Sequence, residues 1–150
     1  MKLQLLSEDD WAAWRDLRLA ALREAPYAFC STLADWQDAE ESRWRMRLTD
    51  VPYNLIAELD GRPAGMVSGV APDGNGTAEL ISLWVAPFAR GRGVGDALLE
   101  AVHCWAVETG ATRLALQVFD GNATAKALYR RHGFAGENGH LVRSLLANNA

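Results

Sequence analysis

The chain has 150 residues, 49% of them apolar, and a formal net charge of −4. The length predicts one compact domain over 1–150, and the acidic balance excludes a global attraction to nucleic acid or to an anionic membrane. Because residues 1–10 turn acidic before any long apolar run, and no stretch reaches the ~18 apolar residues of a membrane-spanning helix, we expect a soluble, cytoplasmic protein.

The first half of the chain predicts a strand, two helices and a β-hairpin. Ser7 is suited to capping the first helix, and Pro26 ends its apolar periodicity. The dipeptide Asp60-Gly61 is typical of a tight hairpin turn. The predicted elements are a strand at 3–5, a helix beginning near 11, a helix from about 38 to 48, and strands at 54–59 and 64–70.

The second half alternates strands with helices. Gly110 and Gly133 are suited to ending its two helices. The predicted elements are a strand at 77–85, a helix from 93 to about 108, a strand at 113–119, a helix at 122–132 and a strand at 141–145. This order predicts a mixed α/β sheet with helices on its faces.

The segment 90–95, Arg-Gly-Arg-Gly-Val-Gly, lies between a predicted strand and a predicted helix. The first amides of a helix have no internal partner and carry a partial positive charge, so they favour a phosphate. Glycines let the backbone approach such a ligand closely, and arginines add charge that pairs well with phosphate. The segment therefore predicts a phosphate site, although a glycine-rich helix entry without a ligand has the same composition.

Two common nucleotide-binding loops fit this segment poorly. A P-loop has Lys-Ser or Lys-Thr after its last glycine, whereas Gly95 is followed by Asp96 and Ala97. A dinucleotide-binding fingerprint has the spacing G-x-G-x-x-G after an early strand, whereas the spacing here is G-x-G-x-G after at least three predicted strands. We expect neither.

A third pattern fits two segments. Residues 80–95, Leu-Ile-Ser-Leu-Trp-Val-Ala-Pro-Phe-Ala-Arg-Gly-Arg-Gly-Val-Gly, match an apolar strand followed by Arg/Gln-x-x-Gly-x-Gly/Ala at a helix start. Residues 122–134 match N-x-x-A-x-x-x-Y-x-x-x-G-F. In this order, the two segments resemble the signature of the GNAT superfamily of N-acetyltransferases. The resemblance implies the GNAT α/β fold, whose mostly antiparallel central sheet is splayed at the cofactor strand and has helices on both faces.

The resemblance also implies acetyl-CoA as the cofactor, with CoA as product. Main-chain groups of the strand would contact pantetheine, the loop would surround the diphosphate, and Arg131 or Arg130 would reach the 3′-phosphate unless both lie on a solvated helix face. The residues that it implies for cofactor binding are Leu83, Trp84, Val85, Arg90, Gly91, Arg92, Gly93, Val94, Gly95, Asp96, Asn122, Tyr129 and Arg131.

Two side chains are candidates for proton transfer. Tyr129 matches the family's general acid, and a phenol with a pKa of about 10 stays protonated and can donate to a thiolate; alternatively it only packs helix against sheet. Glu79 resembles the family's base in position. Strict alternation places it on one face with Ile81 and Leu83, but a bulge would change that phase. Alternatively Glu79 is a solvated carboxylate at the strand entry.

The expected reaction moves an acetyl group from acetyl-CoA to a primary amine of a small molecule, by direct attack in a ternary complex. Acetylation of a protein N-terminus or lysine, and a CoA-binding regulatory module without turnover, remain open. Tyr27, Phe29 and Trp36 are candidate acceptor contacts or ordinary core residues, and nearby acidic residues are either an amine site or solvated surface. The histidines have no partner at ligand spacing, so we expect no metal. The sequence leaves the oligomeric state undecided, with a homodimer as one alternative.

Overall fold

The computed structural model describes residues 1–26, 28–29, 31–119 and 121–146. Its strands are β1 (Lys2–Leu5), β2 (Tyr53–Leu59), β3 (Arg62–Val70), β4 (Thr77–Val85), β5 (Arg113–Gln117), β6 (Ala135–Glu137) and β7 (His140–Ser144). Its α-helices are α1 (Trp11–Glu24), α2 (Leu33–Trp36), α3 (Glu41–Asp50), α4 (Val94–Glu108) and α5 (Ala123–Arg131). One-turn 3-10 helices cover Glu8–Asp10 and Pro87–Ala89.

The described strands form one seven-stranded sheet in the order β1-β2-β3-β4-β5-β7-β6. Every neighbouring pair is antiparallel except β4 and β5, which are parallel. These two strands pair only between Thr77–Glu79 and Arg113–Ala115, and β4 then continues to Val85 without β5 beside it. The expected mixed sheet, splayed at the strand before the glycine loop, is therefore confirmed.

Helices cover both faces of this sheet. On one face, α4 and α5 pack against a core that includes Leu98, Leu114 and Tyr129. On the other, α1 and α3 bury Trp14 and Trp44 against the first strands. No helix among the described residues is long and apolar enough to cross a membrane.

Local sequence accounts for most element boundaries. Ser7 and Asp10 form a capping box, although the helix they open is the 3-10 turn that precedes α1. Asp60 and Gly61 have φ angles of 54° and 76°, as a tight hairpin turn requires. The second predicted helix begins later than expected, at Glu41. Two short elements, α2 and β6, were not predicted, because three or four residues show too little periodicity.

A β-bulge interrupts β4 at Ser82. Met66 of β3 pairs with Trp84, but Ser68 pairs with Ile81, so β4 contains one extra residue. Ser82 has a φ angle of 59°, which is uncommon for a residue with a side chain. The bulge reverses which side chains face which helical layer: Leu80 before it and Leu83 after it both pack on the α4 side. Of the two alternatives for this strand, the bulge is therefore the one observed, and Glu79 and Leu83 do not share a face.

Candidate functional site

A cleft of about 840 Å³ opens where β4 and β5 diverge, a size typical of small-molecule sites, which span ~300–1,000 Å³. Four segments form its wall: the chain after α1, the end of β4, the loop into α4, and the end of β5 with α5. The described residues that line it are Glu24, Ala25, Pro26, Ala28, Phe29, Leu83, Trp84, Val85, Ala89, Arg90, Gly91, Gly93, Val94, Gly95, Asp96, Gln117, Val118, Phe119, Gly121, Asn122, Thr124, Ala125, Leu128, Tyr129 and Arg131.

The glycine loop presents a helix N-terminus to this cleft. Gly93 is the N-cap of α4, has a φ angle of 82°, and has no side chain with which to satisfy the first amides of the helix. A Cβ atom added at Gly91 or Gly93 would meet no heavy atom within 4 Å, so space remains above the loop. The loop therefore combines unsatisfied N–H groups, a partial positive charge and room for an anion.

Each arginine associated with the loop is held by a carboxylate. Arg90 donates to Glu24 over 2.8 Å, and Arg131 donates to Asp96 over 2.8 Å. Arg92 donates over 3.0 Å to Asp60, in the hairpin turn between β2 and β3, and its side chain does not line the cleft. Exposed ion pairs of this kind contribute at most about 1 kcal/mol, so a phosphate that binds more strongly can displace them.

Asp96 also joins the start of α4 to the end of α5. His132, which follows α5, lies 2.7 Å from Asp96 through Nε2 and 2.7 Å from Glu100 through Nδ1. Hydrogen bonds from His132 and Arg131 lower the pKa of Asp96, so this carboxylate is ionised at neutral pH. The loop and the helix that carries Tyr129 are thereby fixed relative to each other.

Tyr129 and Asn122 occupy the α5 side of the cleft. The Asn122 side chain accepts a hydrogen bond from the Ala125 amide over 3.2 Å and so caps α5. Tyr129 is 6% exposed, packs edge-on against Phe134, and lines the cleft. Burial raises the pKa of its hydroxyl to about 12. The phenol is therefore protonated throughout the physiological pH range.

Glu79 lies at the point where the two strands separate. It pairs with Val70 on one side and, on the other, with Ala115, the last residue of β5 that pairs with β4. Its side chain is exposed and is not part of the cleft wall. The structure therefore brings Tyr129, but not Glu79, to the lining of the cleft.

The three acceptor candidates are separated. Phe29 lines the cleft. Trp36 does not, because it packs on Trp44 with a ring separation of 4.7 Å and is covered by the guanidinium of Arg43. Tyr27 lies outside the described residues. Of the nearby acidic residues, Asp35 caps α2 in a capping box with Thr32, which is a local structural role.

The sequence reasoning missed Glu24. This residue ends α1, lines the cleft, and accepts hydrogen bonds from Arg90 and from Trp84 Nε1, the latter over 2.9 Å. The side chain of Trp84 is turned into the α1 layer by this contact, while the strand itself borders the cleft. Glu24 lies 66 residues from Arg90 in sequence, and no local pattern relates the two positions.

The described His, Cys, Asp and Glu residues form no group of three or more that is arranged to hold a metal ion.

Comparison with known proteins gives a direct family match: the model of the acetyltransferase (GNAT) family matches residues 11–134.

Solved structures share this fold. A GNAT-family acetyltransferase from Streptococcus pneumoniae is 22% identical, with a TM-score of 0.78 over 95% of this chain and 98% of that one. A GNAT-family acetyltransferase from Brucella melitensis in complex with acetyl-CoA is 22% identical, with a TM-score of 0.71 over 99% and 90%. A ribosomal-protein-alanine N-acetyltransferase from Brucella melitensis is 24% identical, with a TM-score of 0.70 over 95% and 97%.

Proposed function

The chain belongs to the acetyltransferase (GNAT) family, and from this premise we propose that it transfers the acetyl group of acetyl-CoA to a primary amine of a small molecule. The observation that carries the proposal is the cleft between β4 and β5, which has an uncapped helix N-terminus at one end and a protonated tyrosine in its wall. Family membership supports an acyltransferase; the amine acceptor is the proposed part.

Acetyl-CoA fits the groups that the cleft offers. The N-terminus of α4 supplies backbone N–H groups for the diphosphate, and Arg90 and Arg131 lie in the same wall. The Cβ-free positions Gly91 and Gly93 leave room for this ligand. The similar Brucella melitensis structure contains acetyl-CoA, which supports the same cofactor here.

The exposed edge of β4 suits an extended pantetheine arm. Beyond Glu79 this edge has no neighbouring strand, so the backbone groups of 83–85 that point away from β3 are available to a peptide-like ligand, except the Val85 carbonyl, which accepts a hydrogen bond from Arg90 Nε over 3.1 Å. Such a ligand takes the place of a strand in the gap, which is the β-augmentation mode of binding. A backbone N–H near Val85 would then polarise the thioester carbonyl, as an oxyanion hole does.

Two residues transfer protons in this proposal, one as donor and one as acceptor. When bound, acetyl-CoA supplies an activated acetyl group and a thiolate leaving group. Because its pKa is raised to about 12, the Tyr129 hydroxyl is protonated at neutral pH and donates its proton to the departing sulfur. Glu79, at the fork between the strands, accepts a proton from the amine through bridging water, because its side chain does not line the cleft.

A protein amine is the second candidate acceptor. The similarity to a ribosomal-protein-alanine N-acetyltransferase favours testing it, although that likeness extends to the fold alone. Peptides with a free N-terminus would compete with small amines for the same cleft. A regulatory module that binds acetyl-CoA without turnover is the third candidate.

Thiol release from acetyl-CoA tests the proposal directly. We expect release to depend on an added small amine, with the acetylated amine identified by mass spectrometry, and to be much slower in the Tyr129→Phe variant. Release only with N-terminal peptides would favour the protein acceptor. Tight acetyl-CoA binding with no release across small amines and peptides would favour the regulatory module.

A further inference from the structure

Asp96 places a carboxylate at the end of the cleft where a diphosphate needs positive charge. It is the third residue of α4, after the N-cap Gly93, and it lines the cleft beside the glycine loop. Hydrogen bonds from His132 and Arg131 lower its pKa, so it is an anion at neutral pH. An anion at this position is attracted by the same N–H groups as a phosphate, and it repels a phosphate bound to them.

Aspartates at the same position of two other turns cap their own helix. Asp10 accepts a hydrogen bond from the N–H of Ser7 over 2.8 Å. Asp35 accepts one from the N–H of Thr32 over 2.9 Å, so both complete a capping box. Asp96 differs from them, because within the described residues its carboxylate accepts no hydrogen bond from a backbone N–H.

His132 and Arg131 hold the Asp96 carboxylate instead. Oδ1 of Asp96 accepts from Arg131 Nη2 over 2.8 Å and lies 2.7 Å from His132 Nε2. Since an ionised carboxylate only accepts hydrogen bonds, His132 is the donor in the second contact. The Arg131 side chain is 59% exposed and that of His132 is 14% exposed. Solvent weakens an exposed ion pair, so His132 provides the stronger restraint.

The ring of His132 is fixed at its other nitrogen. Nδ1 lies 2.7 Å from Oε1 of Glu100, one turn further along α4, and the same oxygen accepts from Arg143 Nη1 over 3.2 Å. His132 does not line the cleft, so it would act on a bound cofactor through Asp96. Arg131 does line the cleft. When Arg131 turns to a phosphate, His132 is the partner that Asp96 keeps among the described residues.

We propose that His132 is a positioning residue that keeps the Asp96 carboxylate away from the N-terminus of α4, so that the first N–H groups of the helix stay free for the diphosphate of acetyl-CoA. This role rests on the proposed function, in which acetyl-CoA binds at the glycine loop. The N-caps paired with Asp10 and Asp35 are extended, whereas Gly93 is left-handed, so a released Asp96 need not accept from the corresponding N–H. Its charge beside the loop would oppose a diphosphate in either case.

Isothermal titration calorimetry with CoA tests this role without requiring turnover. The variant His132→Asn keeps a donor near Glu100 but loses the Nε2 atom that contacts Asp96. We expect it to bind CoA about three- to tenfold more weakly than wild type. Asp96→Asn removes the negative charge and is expected to bind CoA about two- to threefold more tightly.

The double variant separates positioning from a purely structural contribution. If His132 acts by restraining Asp96, the loss in His132→Asn disappears once the carboxylate is gone. His132→Asn/Asp96→Asn should then bind CoA within about twofold of Asp96→Asn. If His132 only joins α4 to α5, each single substitution weakens CoA binding and the double variant binds most weakly, which would overturn the proposal.

Glu100→Gln is the matched control. It removes the charge at the other carboxylate contact of His132 and leaves the contact with Asp96 in place. Its CoA affinity should stay within about twofold of wild type. A loss as large as that of His132→Asn would mean that the whole cluster, and not the restraint on Asp96, supports CoA binding.

Urea unfolding establishes that each variant is folded. If His132→Asn does not fold, Asp96→Asn decides alone: tighter CoA binding supports the proposal, and equal or weaker binding overturns it. The expected CoA pattern without thiol release from any amine or peptide overturns acetyl transfer and leaves the role of His132 standing. Thiol release without that pattern does the reverse, and a wild-type protein that binds no CoA overturns both.

Discussion

The guanidinium of Arg90 lies 2.8 Å from the carboxylate of Glu24, so the end of α1 holds the first arginine of the glycine loop. Trp84 donates to the same carboxylate oxygen, which joins α1, β4 and the loop at one point. The hydrogen bonds from Arg90 and Trp84 lower the pKa of Glu24 and keep it ionised. The end of α1 and the glycine loop are therefore in direct contact.

Replacing Arg90 by glutamine is expected to weaken acetyl-CoA binding by about three- to tenfold, because one partly exposed charged donor to the diphosphate is lost. Isothermal titration calorimetry measures this change. The control is Arg92→Gln, since Arg92 is paired with Asp60 and lies off the cleft wall, and we expect a change of less than about twofold. Equal effects of the two variants would contradict the assignment.

Replacing Tyr129 by phenylalanine is expected to lower kcat by about 10²- to 10⁴-fold, the usual contribution of a general acid. KM for acetyl-CoA should change little, since the ring and its packing on Phe134 are kept. Steady-state thiol release measures both quantities. Tyr53→Phe is a matched control, because Tyr53 stacks on Trp105 away from the cleft wall. A Tyr129→Phe enzyme with wild-type kcat would exclude the acid role.

The pH dependence of kcat/KM should show no loss from Tyr129 up to about pH 10, because burial raises its pKa to about 12. Wild type and Tyr129→Phe should therefore have pH profiles of the same shape between pH 6 and pH 10, and differ in height. A wild-type decline within this range that is absent from the variant would contradict the prediction.

The same pKa shift affects folding stability. Because the folded-state pKa lies above the unfolded value of about 10, Tyr129 contributes stability that is complete below pH 10 and is lost as the pH rises towards about 12. Urea unfolding of wild type and Tyr129→Phe at pH 9 and at high pH measures this. The stability difference between the two proteins should shift in favour of the variant as pH rises.

Replacing Glu79 by glutamine is expected to lower kcat/KM by at least about tenfold at neutral pH, where an amine with a pKa of about 10.4 is mostly protonated. The loss should diminish at high pH, since a larger fraction of the amine is then neutral. Glu58→Gln is the control, because Glu58 lies on β2, away from the fork. Undiminished activity in Glu79→Gln would mean that solvent or another group accepts the proton.

Replacing Gly93 by alanine is expected to destabilise the protein by about 1–2 kcal/mol, since a φ angle of 82° is unfavourable for a residue with a Cβ atom. Acetyl-CoA binding should also weaken, because the N-cap of α4 must shift. Gly74→Ala is the control: Gly74 has an ordinary φ angle and no neighbour within 4 Å of an added Cβ. Urea unfolding compares the two variants.

The sequence predicted the parts of the site that depend on local order. The periodicity of α4, the glycines before it and the two-turn spacing of Asn122 and Tyr129 fix those residues on one side of the sheet, and the structure brings them to one cleft. The bulge at Ser82 was not predictable, since neither glycine nor proline marks it. It depends on how β3 and β4 pair, which is a tertiary property.

The ion pairs of the site were also beyond sequence reasoning. Arg92 was expected at the diphosphate, but its side chain pairs with Asp60 in the hairpin turn, 32 residues earlier. Such contacts follow from the packing of helices on the sheet.

The short pairing between β4 and β5 gives the sheet an internal seam. Among the residues that the structure describes, only Thr77–Glu79 and Arg113–Ala115 join its first four strands to its last three by ladder hydrogen bonds. A ligand bound in the gap would connect the two parts of the sheet on either side of the seam. Its dissociation would let these two parts move apart. Amide hydrogen exchange along 80–85 and 116–119 should therefore slow when the gap is filled, with little change in β2 and β3.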